Sequence, residues 1–157
     1  MALFRQYDIT VISIICAGII GLVRDNGGIE WILQKITGLV RGKRGAQFGI
    51  AALASLVDVS TANNTVAIVI AGPIARKISD QYDISPRRTA SLIDIFTSVW
   101  QGIIPYGAQI LYASAGAAAV GMAVPPFEII PFLFYPYLLG ICALVFIAIW
   151  GNKEKMR

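Results

Sequence analysis

A polar segment between two apolar segments constrains this chain more than any other feature. Residues 45–77 begin and end with apolar runs, and residues 58–65 between them read DVSTANNT. As helices, apolar arms of about a dozen residues reach roughly 15–18 Å, half of a hydrocarbon core about 30 Å thick. The polar segment is therefore predicted to lie near the middle of a membrane, where irregular backbone is tolerated only inside protein or beside a water-filled cavity.

An apolar arm, a polar break and a second apolar arm are typical of ion and substrate sites in secondary transporters. We therefore predict that residues 45–77 form a re-entrant helical hairpin with its tip at residues 58–65.

Composition supports a membrane location. The chain has 157 residues, of which 57% are hydrophobic and 14% are charged, and its mean hydropathy is +0.70. A soluble domain normally carries about a quarter charged residues. The sequence predicts an all-α integral membrane protein with a single membrane domain over residues 1–157, embedded in the lipid bilayer.

The absence of histidine excludes Ser-His and Cys-His catalysis and the usual zinc sites. No nucleophile–base pair is visible, so we predict that the protein is not an enzyme and uses no cofactor. The net charge of +4 is interpreted as a topology signal and not as a nucleic-acid site.

Four further segments complete the predicted architecture. They are a transmembrane helix at 8–24, an interfacial amphipathic helix at 29–42, a broken transmembrane helix at 89–122 and a final transmembrane helix at 127–150. Pro105 and Gly107 interrupt the third segment, and Pro131 and Pro136 are predicted to kink the last one.

Basic residues predict the topology. If the hairpin enters and leaves on one side of the membrane, every lysine and arginine except Arg5 falls on that side. The positive-inside rule then places the mouth of the hairpin and the C-terminus in the cytoplasm of a multi-pass inner-membrane protein. A hairpin that instead crossed fully would separate the two basic loops around it.

Asp58 is the strongest candidate for a functional residue. An ionisable group near the centre of a bilayer is costly unless it is paired, hydrated or protonated, so it predicts a function by default. The alternative is that Arg44 or another cation pairs with Asp58 for structural reasons.

Neutral oxygen atoms surround Asp58 in the sequence. They belong to Ser60, Thr61, Asn63, Asn64 and Thr65. Such hard ligands suit an alkali cation better than a soft metal. The alternative is that they only cap two half-helices, with Asn64 or Thr65 capping the second. The two roles are compatible.

A second polar set follows one face of the helix that leads to the second break. Asp94, Thr97 and Gln101 are predicted to contact the ion or substrate, together with Tyr106 at the break. A polar stripe in a membrane must face protein or water. The alternative is hydrogen bonding between helices. The predicted Na+ ligands are Asp58, Asn64, Thr65 and Asp94.

Residues 61–78 (TANNTVAIVIAGPIARKI) and residues 87–111 (RRTASLIDIFTSVWQGIIPYGAQIL) resemble the C-terminal part of NhaC-type Na+/H+ antiporters, of the ion-transporter superfamily. The resemblance implies sodium–proton antiport, with relatives that exchange organic ions. It also implies that Asn64 and Thr65 match an Asn-Thr motif that binds sodium at a hairpin tip.

Members of that family contain two inverted repeats, whereas this chain matches one. The resemblance therefore implies a second repeat or a partner subunit. The predicted function is a module that exchanges Na+ for H+, with Asp58 and Asp94 alternately binding cation and proton. The alternatives are an exchanger of organic acids or amino acids, with a small organic anion as substrate, and a non-transporting subunit or truncated fragment.

Overall fold

The structure is a computed structural model that describes residues 40–152 and a few earlier positions, namely Gly18, Leu22, residues 25–28, Trp31, residues 34–35 and Gly38. Apart from these positions, the predicted transmembrane helix at 8–24 and the predicted interfacial helix at 29–42 lie outside the described residues.

Helices make up all of the regular secondary structure in residues 40–152, as the sequence predicts for an all-α protein. They are α1 (Gly42–Thr61), α2 (Asn64–Gln81), α3 (Pro86–Ile103), α4 (Ala108–Ala119), α5 (Pro126–Ile129), a 3-10 turn (Ile130–Phe132) and α6 (Phe134–Trp150).

Helices α1 and α2 form an antiparallel hairpin. At its mouth, the Lys43 ammonium lies 2.5 Å from a carboxylate oxygen of Asp83, and the Tyr82 hydroxyl donates to the Val40 carbonyl. At the other end, the chain turns through Ala62, which has a left-handed backbone with φ of 49°, and through Asn63, which is extended.

The unwound part of the tip is shorter than predicted. Only Ala62 and Asn63 lie between the helices, whereas Asp58, Ser60 and Thr61 belong to α1. The hydroxyl groups of Ser60 and Thr61 donate to carbonyls one turn earlier in the same helix. This bonding lets hydroxyl residues remain in a helix that their sequence pattern would end.

The arms of the hairpin are also longer than predicted. Helix α1 has 20 residues and α2 has 18, which correspond to lengths of about 30 Å and 27 Å. The additional turns carry the basic residues at the start of α1 and the polar residues at the end of α2. Hydropathy alone does not assign these turns to the helices.

Helix α3 packs against both arms of the hairpin, and α6 packs against α3. A Cβ atom on Gly102 would lie 2.8 Å from Cγ of Pro136, and one on Gly140 would lie 3.4 Å from Cγ1 of Val99. The two glycines therefore allow α3 and α6 to approach closely. The common core contains Ile50, Ile74, Ile78, Leu92, Phe96 and Ile147.

A buried glutamine joins three helices at the mouth of the hairpin. The Gln47 amide nitrogen donates to the carbonyl of Gly151 at 2.8 Å, and its oxygen accepts from Nε of Arg88 at 2.8 Å. The Arg88 guanidinium lies over the ring of Phe146, 4.5 Å from its centre. The starts of α1 and α3 and the end of α6 thus meet, which brings the basic segments at 41–44 and 87–88 to one end.

Two breaks interrupt the C-terminal half. Helix α3 ends at Ile103 and α4 starts at Ala108, so the break coincides with Pro105 and Gly107. The other lies between Phe132 and Phe134. Pro136 instead falls in the first turn of α6, where its missing N–H costs no intrahelical hydrogen bond.

No single helix within the described residues has the length and hydropathy needed to cross a bilayer. Residues Pro126–Phe132 and Phe134–Trp150 meet that criterion together, as a pair bent by 54°.

Candidate functional site

The tip of the hairpin lies against the break between α3 and α4. The Asn64 backbone N–H donates to the side-chain oxygen of Gln101, and the Asn64 amide donates to the Ser98 hydroxyl at 3.2 Å. The Tyr106 hydroxyl donates to the Val59 carbonyl at 2.8 Å. Three hydrogen bonds therefore hold the two interrupted segments together, although they are far apart in the sequence.

The cap of α2 is Asn63, and not Asn64 or Thr65 as the sequence suggested. The Asn63 side-chain oxygen accepts from the N–H of Val66 at 3.2 Å. The difference arises because the helix starts at Asn64, so the preceding residue is the one whose side chain can reach the free N–H groups. Thr65 lies exposed in the first turn of α2.

Ser60 and Thr61 lie on the side of α1 that lines an apolar groove of about 700 Å³ with Trp31, Phe48 and Leu56. Their hydroxyl groups donate to the carbonyls of Leu56 and Val57 in α1, at 2.8 Å and 2.9 Å, and the Thr61 hydroxyl also lies 3.3 Å from the Asn63 carbonyl in the turn. The hydroxyl oxygens of both residues can still accept hydrogen bonds or bind a cation.

Asp58 is completely buried in α1, with 0% of its surface exposed. Within the part of the chain that the structure describes, no group donates a hydrogen bond to either carboxylate oxygen. The alternative pairing with Arg44 is therefore not formed, and Arg44 lies near the opposite end of the same helix. Burying an unpaired carboxylate is unfavourable, and a bound proton or cation would remove this cost.

Asp94 lies elsewhere, exposed on α3. With Arg76, Ser79, Asp80 and Thr89 it lines a cleft of about 550 Å³ between α2 and α3. The cleft lies towards the mouth of the hairpin, away from its tip. Asp94 and Asp58 are thus in different surroundings, although the sequence assigns them a shared role.

The polar stripe on α3 divides into three environments. Asp94 faces the cleft, whereas Thr97 is buried and its hydroxyl donates to the carbonyls of Ile93 and Asp94 at 2.9 Å and 3.2 Å. Ser98 and Gln101 reach the tip of the hairpin. The sequence places Ser98 on the same helix face, three residues before Gln101, and leaves its role open between ion contact and hydrogen bonding between helices. In the structure its hydroxyl accepts from the Asn64 amide.

The described residues contain no group of three or more His, Cys, Asp or Glu side chains that could hold a metal ion. A cation at the tip would therefore depend on one carboxylate and on neutral oxygens. Hard cations accept backbone carbonyl, amide and hydroxyl oxygens as ligands, so this donor set is suitable for Na+.

Most of the chain matches a known family. The sequence profile of the Na+/H+ antiporter family matches residues 7–151, which include both arms of the hairpin and the break in α3–α4. The chain belongs to the Na+/H+ antiporter family. No curated protein and no solved structure matches the chain.

Family membership confirms the general function predicted from the sequence. The family is one of membrane proteins that exchange cations and protons, and it is a transporter family, not an enzyme family.

Proposed function

We propose that this antiporter exchanges Na+ for H+ across the cytoplasmic membrane, with Asp58 binding the cation and the proton in turn. The observation that carries the proposal is the burial of Asp58 with both carboxylate oxygens unpaired among the described residues. An apolar environment favours the neutral or paired state of a carboxylate. Because Na+ and H+ compete for the same negative charge, binding of one releases the other.

Neutral oxygens near the tip complete the proposed cation site. The side chains of Thr61, Asn64 and Thr65 and the last carbonyls of α1 lie at or beside the hairpin turn. Sodium sites in transporters with broken helices use such carbonyls. We further propose that the chain is of the NhaC type and that Asn64 and Thr65 bind Na+ at the hairpin tip.

Asp94 serves as the second carboxylate of the proposed mechanism. Its cleft is open and also contains Asp80 and Arg76. A cation that arrives at the mouth of the hairpin meets Asp94 before it reaches the tip. Alternate binding of cation and proton at Asp94 and at Asp58 would then move both ions along α3.

The proposed topology is a re-entrant hairpin with its mouth in the cytoplasm. Without the basic and polar turns, residues 45–61 and 64–75 would extend about 26 Å and 18 Å into the bilayer, less than its apolar thickness of about 30 Å. The tip would then end inside the membrane, covered by the break in α3–α4. The end of α6 lies beside the hairpin mouth, because the carbonyl of Gly151 accepts a hydrogen bond from Gln47, and we propose that the C-terminus is on the same side of the membrane.

An exchanger of organic acids or amino acids is the second candidate function. The observation that favours it is the N-terminus of α2, where the N–H of Asn64 is bound by an uncharged group, the Gln101 amide. The N-terminus of a helix favours negative charge, so a substrate carboxylate could replace Gln101 there.

A second repeat or a partner subunit is also part of the proposal. Helix α4 consists largely of alanine, glycine and serine, and within the described residues it packs mainly against α3 and α5. Small residues allow two membrane helices to approach closely. We propose that a further helix of the complete transporter packs there.

Exchange by the chain in proteoliposomes tests the proposed function. We expect Asp58→Asn to abolish Na+ uptake driven by a pH gradient, and Asp94→Asn to reduce it at least tenfold, because each change removes a charge for which Na+ and H+ compete. Glu128→Gln is the matched control, since Glu128 is an exposed carboxylate outside the hairpin tip and the α3–α4 break. This variant should exchange Na+ at the wild-type rate.

Uptake of Na+ by both aspartate variants at the wild-type rate would refute the mechanism. Uptake of a labelled organic acid without Na+ movement would support the second candidate. If the wild-type chain transports neither solute, with or without a candidate partner, it is a non-transporting subunit or fragment.

A further inference from the structure

In the last turn of α1, a backbone carbonyl contacts a side chain from the break between α3 and α4. The last four carbonyls of a helix have no partner within it. In α1, the N–H of Ala62 donates a hydrogen bond to the Asp58 carbonyl at 2.7 Å. The next carbonyl, that of Val59, accepts the hydroxyl proton of Tyr106 at 2.8 Å. The Tyr106 hydroxyl thus supplies the hydrogen bond that the Val59 carbonyl lacks because the helix ends there.

The Val59 carbonyl is also suited to bind a cation. It belongs to the residue that follows Asp58, the buried carboxylate with no hydrogen-bond partner among the described residues. Carbonyl oxygens released where a helix is interrupted are ligands for Na+ in transporters. A carbonyl oxygen has two lone pairs, and a hydroxyl bonded to one of them withdraws electron density and occupies the space beside the oxygen, so the Tyr106 hydroxyl opposes binding of a cation to this carbonyl.

The position of Tyr106 allows its side chain to move away from the Val59 carbonyl. It lies on the short segment between α3 and α4, and 54% of its surface is exposed. The neighbouring backbone is compact, since a Cβ atom on Gly107 would lie 3.0 Å from the Ile104 carbonyl oxygen. The ring of Tyr106 can therefore rotate away from Val59 while the backbone of the break stays in place.

We propose that Tyr106 is a positioning residue that holds the Val59 carbonyl while the cation site is empty, and that Na+ binds by displacing its hydroxyl. The inference rests on the proposed function of Asp58. It differs from the expectation that Tyr106 is itself an ion ligand, because here its hydroxyl opposes binding of the ion.

The test is the Na+ concentration that gives half-maximal response in Tyr106→Phe. Two readouts are measured on the full chain: the Na+-dependent rise in melting temperature in detergent, and the Na+ dependence of exchange in proteoliposomes. Removal of the competing donor should lower the half-saturating concentration by about threefold to tenfold, the range expected for the loss of one hydrogen bond. Maximal exchange should fall, because release of Na+ becomes slower.

Tyr137→Phe is the matched control. The Tyr137 hydroxyl also donates to a backbone carbonyl, that of Ile130 at 3.3 Å, but it lies outside the two breaks that meet at the tip. The control should keep the wild-type half-saturating concentration. A structural role for the Tyr106 hydroxyl would lower the melting temperature without Na+ and leave this concentration unchanged.

Site-specific replacement of Tyr106 by 3-fluorotyrosine provides a second measurement. Its more acidic hydroxyl is a stronger donor, so the half-saturating concentration should rise. This variant keeps the shape of the side chain and applies even if Tyr106→Phe does not fold.

An unchanged or higher half-saturating concentration in Tyr106→Phe would overturn the inference, and a higher one would make the hydroxyl a ligand. Asp58→Asn separates the two hypotheses. If it abolishes the Na+ response while Tyr106→Phe behaves as wild type, only the role of Tyr106 fails. If Asp58→Asn keeps the response, the proposed function fails as well.

Discussion

At the scale of single residues, the side chains at the hairpin tip divide into those that complete the helices and those that remain available. Asn63 caps α2, and the hydroxyl protons of Ser60 and Thr61 bond within α1. Asp58 is different, because no described residue bonds to its carboxylate. The sequence predicts both capping and ligation for this segment, and the structure shows which side chains perform the capping.

Replacement of the cap tests this division. We expect Asn63→Ala to destabilise the protein by about 1 kcal/mol, because the N–H of Val66 loses its acceptor. Asn63→Ser is the control, since serine is also a good cap residue and should retain most of the stability. The melting temperature of the purified chain in detergent measures both. An equal loss in the two variants would mean that Asn63 contributes through something other than its cap.

At the scale of helices, the close packing of α3 against α6 places the second break. At Gly102 the two helices are in close contact, because an added Cβ atom would lie 2.8 Å from Cγ of Pro136. Gly102 comes directly after Gln101, whose side chain binds the hairpin tip. Displacement of the end of α3 would therefore also disturb the contact between the two breaks.

We expect Gly102→Ala to destabilise the protein by about 1–3 kcal/mol, the usual cost of forcing an additional methyl group into a packed interface. Gly116→Ala is the matched control, because Gly116 lies in α4 with no neighbouring atom within 4 Å of an added Cβ, and alanine favours a helix. Thermal melting distinguishes the two. The double change Gly102→Ala with Pro136→Ala should recover part of the loss, and no recovery would place the strain elsewhere.

At the scale of the whole molecule, one end of the bundle contains the mouth of the hairpin, the start of α3 and the end of α6. Gln47 holds this end together through Gly151 and Arg88. The basic segments around it are the ones that the positive-inside rule uses. The proposed topology places this basic end in the cytoplasm.

Thiol labelling in oriented vesicles measures that topology. With both native cysteines changed to serine, we expect Arg41→Cys and Arg87→Cys to react with a membrane-impermeant reagent only from the cytoplasmic side, because both lie at the basic end. Ala123→Cys, in the turn after α4, should react only from the opposite side. Labelling of Arg41→Cys and Arg87→Cys from different sides would contradict the hairpin.

The sequence by itself determined the helical class, an interruption within residues 58–65, the break at Pro105–Gly107 and membership of the Na+/H+ antiporter family, since these follow from hydropathy, from proline and glycine, and from local motifs. Only the tertiary structure decided which polar groups meet. It places the Asp94 side chain in a cleft, leaves Asp58 without a partner among the described residues and sets the Tyr106 hydroxyl on the Val59 carbonyl. The reason is physical. Residues far apart in sequence come together through packing, and the residue types do not show which backbone carbonyl will accept a hydrogen bond from a distant side chain.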